Sequence, residues 1–214
     1  MPSQAYLAAL EASKEIHKGK QFTGKFLRPH APFIKEIIDR LGCKTVLDYG
    51  CGKGQQYEWV IPSTGQTIEQ FWGVSVTKYD PAYPPFAQEP VGKFDLVLCT
   101  QVLGAIPEGD RGWVVDRLYA LAKKALYISE RLHSPRKLIA DNSLRPAWTV
   151  RDWQENTWRG RQEIEVTLAT RRINDDDEKI TEHWRLDNEF LTWGRITWPK
   201  GTRAMNHKWT PENA

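Results

Sequence analysis

Cysteine is scarce in this chain, with three among 214 residues, at Cys43, Cys51 and Cys99. They form neither paired zinc spacing nor a Cys-x-x-Cys pair, which excludes a disulfide scaffold, a zinc module and a dithiol redox centre. An odd, low count points instead to a reducing, cytoplasmic setting. Long apolar runs are missing too, and Met1-Pro2-Ser3-Gln4 does not open a signal peptide, so no membrane partner is expected. The triphosphate-cradling Gly-Lys-Ser/Thr is absent, because Gly52-Lys53 continues into Gly54-Gln55. The run Asp175-Asp176-Asp177 has no spaced second set of ligands, so it reads as a solvated turn and no metal is expected.

A net charge of +3 is too small to indicate nucleic-acid binding by itself. Its distribution is more informative. Lys14 to Lys44 holds eight Lys/Arg against three acids, and Arg111 to Arg151 holds nine against three. Such segments are either solvated helix faces or a basic mouth that attracts an anionic substrate, and both readings stand at this level.

The chain is organised around Thr45–Gly54, T-V-L-D-Y-G-C-G-K-G. A short apolar run ending in an acid and three alternate glycines reads as a buried strand followed by a tight turn. The glycines let backbone approach a ligand at the carboxyl edge of a parallel sheet. A dinucleotide fingerprint, Gly-x-Gly-x-x-Gly, would want its third glycine one residue later. Asp48-x-Gly50-x-Gly52-x-Gly54 instead resembles motif I of the class I S-adenosylmethionine (SAM)-dependent methyltransferases, of compact bacterial or phage type. The resemblance covers roughly Thr45 to Ser129. It implies an α/β fold with a doubly wound, mostly parallel sheet of seven-stranded type, ending in an antiparallel hairpin. It also implies SAM as cofactor and S-adenosylhomocysteine (SAH) as product.

Downstream, Phe71–Tyr79 reads as the second strand, ending in Asp80, placed to accept hydrogen bonds from both ribose hydroxyls. Asp80-Pro81-Ala82-Tyr83 looks like a degraded Asp-Pro-Pro-Tyr, the base-holding motif of some DNA adenine methyltransferases, but it follows the wrong strand for that role. Phe94–Cys99 resembles the fourth strand of the superfamily, and the short gap before it leaves little room for a third strand and helix. Similar enzymes often continue Asp-Val-Leu-Glu-His, where this chain has Gln101-Val102-Leu103-Gly104-Ala105. The expected cofactor-binding residues are Asp48, Gly50, Cys51, Gly52, Gly54, Tyr79, Asp80, Pro81, Thr100 and Gln101.

In the flanks, Ser3 is expected to cap a helix from Gln4 to about His17, and a second helix runs from Ala31 to Leu41. The loop from His17 to Lys25, with its Phe22-Thr23-Gly24, is a linker or a lid over the cofactor. A helix is expected from Gln55 to Val60, its free N–H groups aimed at the ligand. Another is expected from Trp113 to Lys124, capped by Asp110. Ala125–Ser129 reads as the fifth strand, Thr149-Val150-Arg151-Asp152 as a helix start, and Glu163–Thr170 with Lys179–Leu186 as a hairpin. Seven of the ten tryptophans lie between Trp148 and Trp209, interleaved with arginines. They pack against the sheet or a dimer partner, or form a substrate platform.

Residues 1–214 thus read as one methyltransferase domain: an N-terminal helix and lid (1–30), a SAM-binding core (31–130), and a substrate-side loop, hairpin and Trp-rich tail (131–214). The expected activity is methyl transfer from SAM to a small-molecule acceptor, anionic if the basic segments line the mouth. A nucleic-acid methyltransferase and a non-catalytic SAM- or SAH-binding protein are the alternatives. No catalytic residue is identified. His30, His133, His183 and Tyr83 are candidate bases, each read as structural, and the oligomeric state is not fixed by the sequence.

Overall fold

The computed structural model describes residues 2–19, 26–131, 148–156, 163–171 and 206–207. In chain order these form α1 (Gln4–Lys18), α2 (Ala31–Leu41), β1 (Val46–Tyr49), β2 (Val60–Ile61), β3 (Gln66–Thr67), α3 (Ile68–Trp72) and β4 (Val76–Tyr79). Then follow β5 (Phe94–Thr100), α4 (Glu108–Leu121), β6 (Ala122–Arg131), β7 (Trp148–Asn156), β8 (Glu163–Arg171) and β9 (Asn206–His207).

The main sheet has seven strands in the order β4-β1-β5-β6-β8-β7-β9. Its first four are parallel, and the remaining pairings are antiparallel. The strands alternate between two cores, as a sheet covered on both faces requires. Val46, Leu96, Leu98 and Tyr127 pack against α2 and α3, while Leu47, Val97, Cys99, Leu126 and Ile128 pack against α4 and Tyr6 of α1. The doubly wound architecture read from the sequence is the one observed. The short gap after Asp80 also holds: only a 3-10 turn, Pro84–Phe86, lies between β4 and β5.

Several boundaries differ. No helix of several turns follows the glycine loop. A single 3-10 turn (Gln55–Tyr57) leads into the β2–β3 hairpin and then into α3. The turn residues Pro62 to Gly65 and the capping box of Thr67 with Gln70 are the local signals for this arrangement. Phe71 and Trp72 therefore end a helix, and the strand starts only after Gly73, whose left-handed φ of 70° stops α3. Thr149 does not open a helix, because all nine residues of β7 pair in register with β8. That ladder overrides the local capping signal. β8 therefore pairs with β6 and β7, and the expected return strand Lys179–Leu186 lies outside the described residues.

Ser3 caps α1 as expected, its Oγ accepting the Tyr6 N–H at 3.2 Å. Asp110 does not cap α4, which begins at Glu108 after Pro107. Instead its carboxylate is buried in the first turn of α4, where the Ser3 N–H (2.9 Å) and Oγ–H (2.6 Å) donate to it. Tyr6 meets Trp113 edge-to-face nearby, so both contacts dock α1 onto α4. Asp110→Ala should cost about 2 kcal/mol, the scale of hydrogen bonds to a charged group. Faster amide exchange over residues 4–18 should accompany it, and unaltered exchange there would refute the docking role.

Candidate functional site

A cavity of about 480 Å³ opens at the carboxyl ends of β1, β4, β5 and β6. The chain passes from β1 to β4 on one side and returns with β5 on the other, which makes this the switch point where open α/β sheets bind ligands. One face of α1, carrying Tyr6, Ala9, Leu10, Ser13 and His17, roofs it. The spacing of these positions is helical, so the roof follows from the periodicity of α1. The Phe22-Thr23-Gly24 element considered as a lid lies outside the described residues.

The glycine loop supplies shape rather than donors. The Gly50 and Cys51 N–H groups both donate to the Tyr79 carbonyl, at 2.7 and 3.1 Å, and the Gly52 N–H donates to Asp80 Oδ2 at 2.8 Å. Close approach is the reason for Gly50: its φ is +83°, and an added Cβ would lie 2.3 Å from Val102 Cγ2. The turn is therefore pressed against the segment that follows β5. Beside it, Asp80 Oδ1 accepts from the Ala82 N–H at 2.8 Å, and the ring of His17 approaches that oxygen at 4.0 Å. Two loop amides thus orient the Asp80 carboxylate at the rim of the cavity.

Seven of the expected residues line the cavity: Gly50, Cys51, Gly52, Asp80, Pro81, Thr100 and Gln101. The other three do not. Gly54 sits behind the loop, where an added Cβ would touch the ring of Phe86. Tyr79 contributes its carbonyl to the loop and sends its hydroxyl to Glu89 Oε1, 2.8 Å away. Asp48 is buried at the end of β1, its Oδ2 accepting from Tyr57 (2.8 Å) and Gln56 (3.0 Å) while Oδ1 finds no donor among the described residues.

Burial raises the Asp48 carboxyl to about 6, against the lowering pull of Tyr57 and Gln56. Its ordinary value in an unfolded chain is about 3.9. Between those limits the native state keeps a proton that the unfolded chain has released, so this group's contribution to stability falls as pH rises from about 4 to about 6. Asp48→Asn should remove that slope from the pH dependence of the melting temperature, and an unchanged slope would show that another group carries it.

Gln101, at the end of β5, is the one non-glycine residue with positive φ (58°) among those described. Its N–H and its side-chain Nε2 both donate to the Ser129 carbonyl, at 2.7 and 3.3 Å, which holds this uncommon conformation. Sequence reasoning missed Glu130, a buried residue near the end of β6. Its Oε1 accepts from Val102 N (2.6 Å) and Leu103 N (2.7 Å), and Oε2 from Gly104 N at 3.3 Å. In the sequence the position reads as the start of a basic loop, and no local pattern marks a carboxylate held by a neighbouring loop's amides.

Of the candidate bases, His30 is fully buried between Tyr127 and Ser129, and burial lowers it to about 3, so it stays neutral. Tyr83 packs against Phe86 and His17. His133 and His183 lie outside the described residues.

No Lys or Arg lines the cavity among the described residues; its charged lining groups are Asp80 and Glu130, with the titratable His17 beside them. A pyrophosphate would need the loop's N–H groups, and those of Gly50, Cys51 and Gly52 are already engaged. A sulfonium cation carrying ribose hydroxyls would fit this set: Asp80 offers a carboxylate that hydroxyls could donate to, and no Lys or Arg among the described residues would oppose the sulfur.

Residues 13–192 match the family model of the methyltransferase domain. The chain belongs to this family of SAM-dependent enzymes. Among solved structures, the DhpI–SAH complex matches with a TM-score of 0.50 and 11% identity, over 81% of this chain and all (100%) of that one. The magnesium protoporphyrin IX methyltransferase of Synechocystis PCC 6803 with bound SAM aligns at 0.45 and 19% identity, over 75% and 90%. The 1,6-didemethyltoxoflavin-N1-methyltransferase of Burkholderia thailandensis with its acceptor and SAH aligns at 0.49 and 16%, over 80% and 92%. No curated protein is significantly similar in sequence. This SAM-dependent methyltransferase is thus joined to solved structures by its fold, and its acceptor has to be reasoned from its own residues.

Proposed function

We propose that this methyltransferase acts on a small-molecule acceptor bound in the same cavity as SAM. One observation carries the reading: the cavity is roofed by α1, walled largely by apolar groups, and has a volume of about 480 Å³, within the usual size of small-molecule sites. Asp80 would hold the ribose, Gly50 to Gly52 would let backbone approach the cofactor, and Thr100 and Gln101 would flank it from β5. Bound SAM supplies an activated methyl group on a sulfonium. The protein's part is to hold the acceptor in line with it and keep water away.

A nucleic-acid acceptor finds less support. Four of the cations in the first basic segment, Lys14, Lys18, Lys35 and Arg40, face acids three or four residues away on their own helices, at 2.5–2.7 Å. They are solvated helix faces, and the anionic acceptor expected from that segment loses this part of its basis. No helix among the described residues is long and apolar enough to cross a membrane.

The test uses methyl-labelled SAM incubated with the protein and a cell extract separated into low-molecular-weight and nucleic-acid fractions. Label should accumulate in the first fraction. Transfer into the nucleic-acid fraction, weakening steeply with added salt as released counterions require, would overturn the reading.

A further inference from the structure

Glu130 has a surplus that its structural contacts do not use. Its side chain is buried (2% exposed) and lines the cavity on the β6 side, across β1 and β5 from Asp80. The two short hydrogen bonds from Val102 and Leu103 both fall on Oε1, leaving Oε2 with one long contact among the described residues, to Gly104 N at 3.3 Å. Gly104 has no side chain to cover that oxygen, and an added Cβ would stand 3.7 Å from it. The cavity wall is largely apolar, and Leu10, Val102 and Ile106 of its lining pack against the hydrophobic core. A carboxylate is thus fixed by one oxygen and presented by the other, in an apolar chamber.

We propose that Glu130 is the base of this methyltransferase: its Oε2 receives the N–H or O–H of an uncharged, largely apolar acceptor and takes up that proton. The inference rests on the SAM-dependent reading above. In the step, the acceptor's lone pair forms a bond to the methyl carbon, the carbon–sulfur bond breaks, and its electron pair stays on sulfur, giving SAH. The acceptor's proton passes to Oε2 and then to water. An anionic acceptor would bring like charge against a buried carboxylate, which is why the uncharged class is favoured.

The protonation behaviour agrees with the geometry. Burial raises Glu130 to about 7, against the pull of the Leu103, Val102 and Gly104 amides and of Arg111 on α4. On the adjacent strand β5, the Cys99 thiol is itself pushed up, by burial and by Glu130. A carboxylate balanced near neutrality suits proton uptake.

The test needs no natural acceptor. Indole offers one N–H donor, and benzofuran has the same shape without it. Their binding to the SAH-loaded protein is measured by ligand-observed NMR. Wild type should prefer indole about tenfold, the scale of one hydrogen bond to a charged acceptor. In Glu130→Gln, which keeps Oε1 for Val102 and Leu103, the preference should fall to about one. Gly104→Ala leaves the carboxylate and its amide partners in place but sets a methyl in van der Waals contact with Oε2, covering part of its open side, so indole binding should drop there as well. This second variant carries the test alone if the first does not fold. SAH affinity should stay within about twofold in both. Equal binding of the two probes to wild type, binding of neither, or an indole preference that survives Gly104→Ala would overturn the proposal. Failure of SAH to bind wild type would instead defeat the SAM-dependent reading itself, so the two failures are distinguishable.

Discussion

Asp80→Ala is expected to weaken SAH binding by about a hundredfold or more while leaving the sheet folded. The carboxylate sits at the end of β4, oriented by the Gly52 and Ala82 amides at 2.8 Å each. Each hydroxyl donating to it forms a charge-assisted hydrogen bond worth about 1.5–3 kcal/mol, and two of them account for the expected loss. Alanine also releases the Gly52 N–H, so the loop loses one of its fixed points. Calorimetric titration with SAH, paired with circular dichroism, reads both effects. Undiminished affinity would remove Asp80 from the cofactor site. Lost affinity in an unfolded protein would show that its role is structural only.

Gly50→Ala should have the other large effect, this time on both stability and binding. Position 50 needs φ of +83°, and its Cβ would meet Val102 Cγ2 at 2.3 Å, Cγ1 at 3.1 Å and Cβ at 3.3 Å. Turning χ1 of Val102 moves its methyls but leaves its Cβ at 3.3 Å, so the loop must move from β5 or Val102 must adopt a less favoured rotamer beside a strained contact. Overpacking and left-handed strain together cost about 3 kcal/mol, and SAH affinity should fall more than tenfold as the loop shifts. Gly52, by contrast, has φ of +60° but open space where a methyl would stand, so Gly52→Ala carries the backbone strain alone, about 1 kcal/mol. Denaturant midpoints of the two variants should rank in that order. Adding Val102→Ala to Gly50→Ala should recover part of the loss, a coupling that distant residues would not show. Equal midpoints, or no coupling, would mean that the contact between the loop and Val102 does not shape the site.

The parallel half of the sheet and its cofactor edge are legible in the sequence because short-range signals agree there. An apolar run, an acid and alternate glycines fix β1 and its turn, and Phe94–Cys99 is apolar enough to require cover on both faces. The cavity residues on those strand ends, from Gly50 to Gln101, follow from that pattern. Legibility fails where a residue's role is set by a distant partner. Asp110 looks like a cap of its own helix, yet its carboxylate serves Ser3, 107 residues earlier in sequence. Glu130 looks like the first polar residue of a loop, yet amides near residue 103, on a neighbouring strand's exit, turn it toward the cavity. Thr149 carries a sound local helix signal that nine paired residues of β7 and β8 outweigh. Asp48 reads as a ligand contact because it belongs to the motif, but its oxygens lie beneath the loop with Tyr57 and Gln56.

The most direct measurement of the central claim is a thermal-shift titration of the protein with SAM, SAH and NAD, repeated on Asp80→Ala. A ligand bound only by the native state stabilises it by RT ln(1 + [L]/Kd), about 2.7 kcal/mol at a hundredfold excess over Kd. SAM and SAH should raise the melting temperature of the wild type and leave Asp80→Ala almost unmoved, while NAD shifts neither. A shift with NAD, or none with SAM and SAH, would contradict the account.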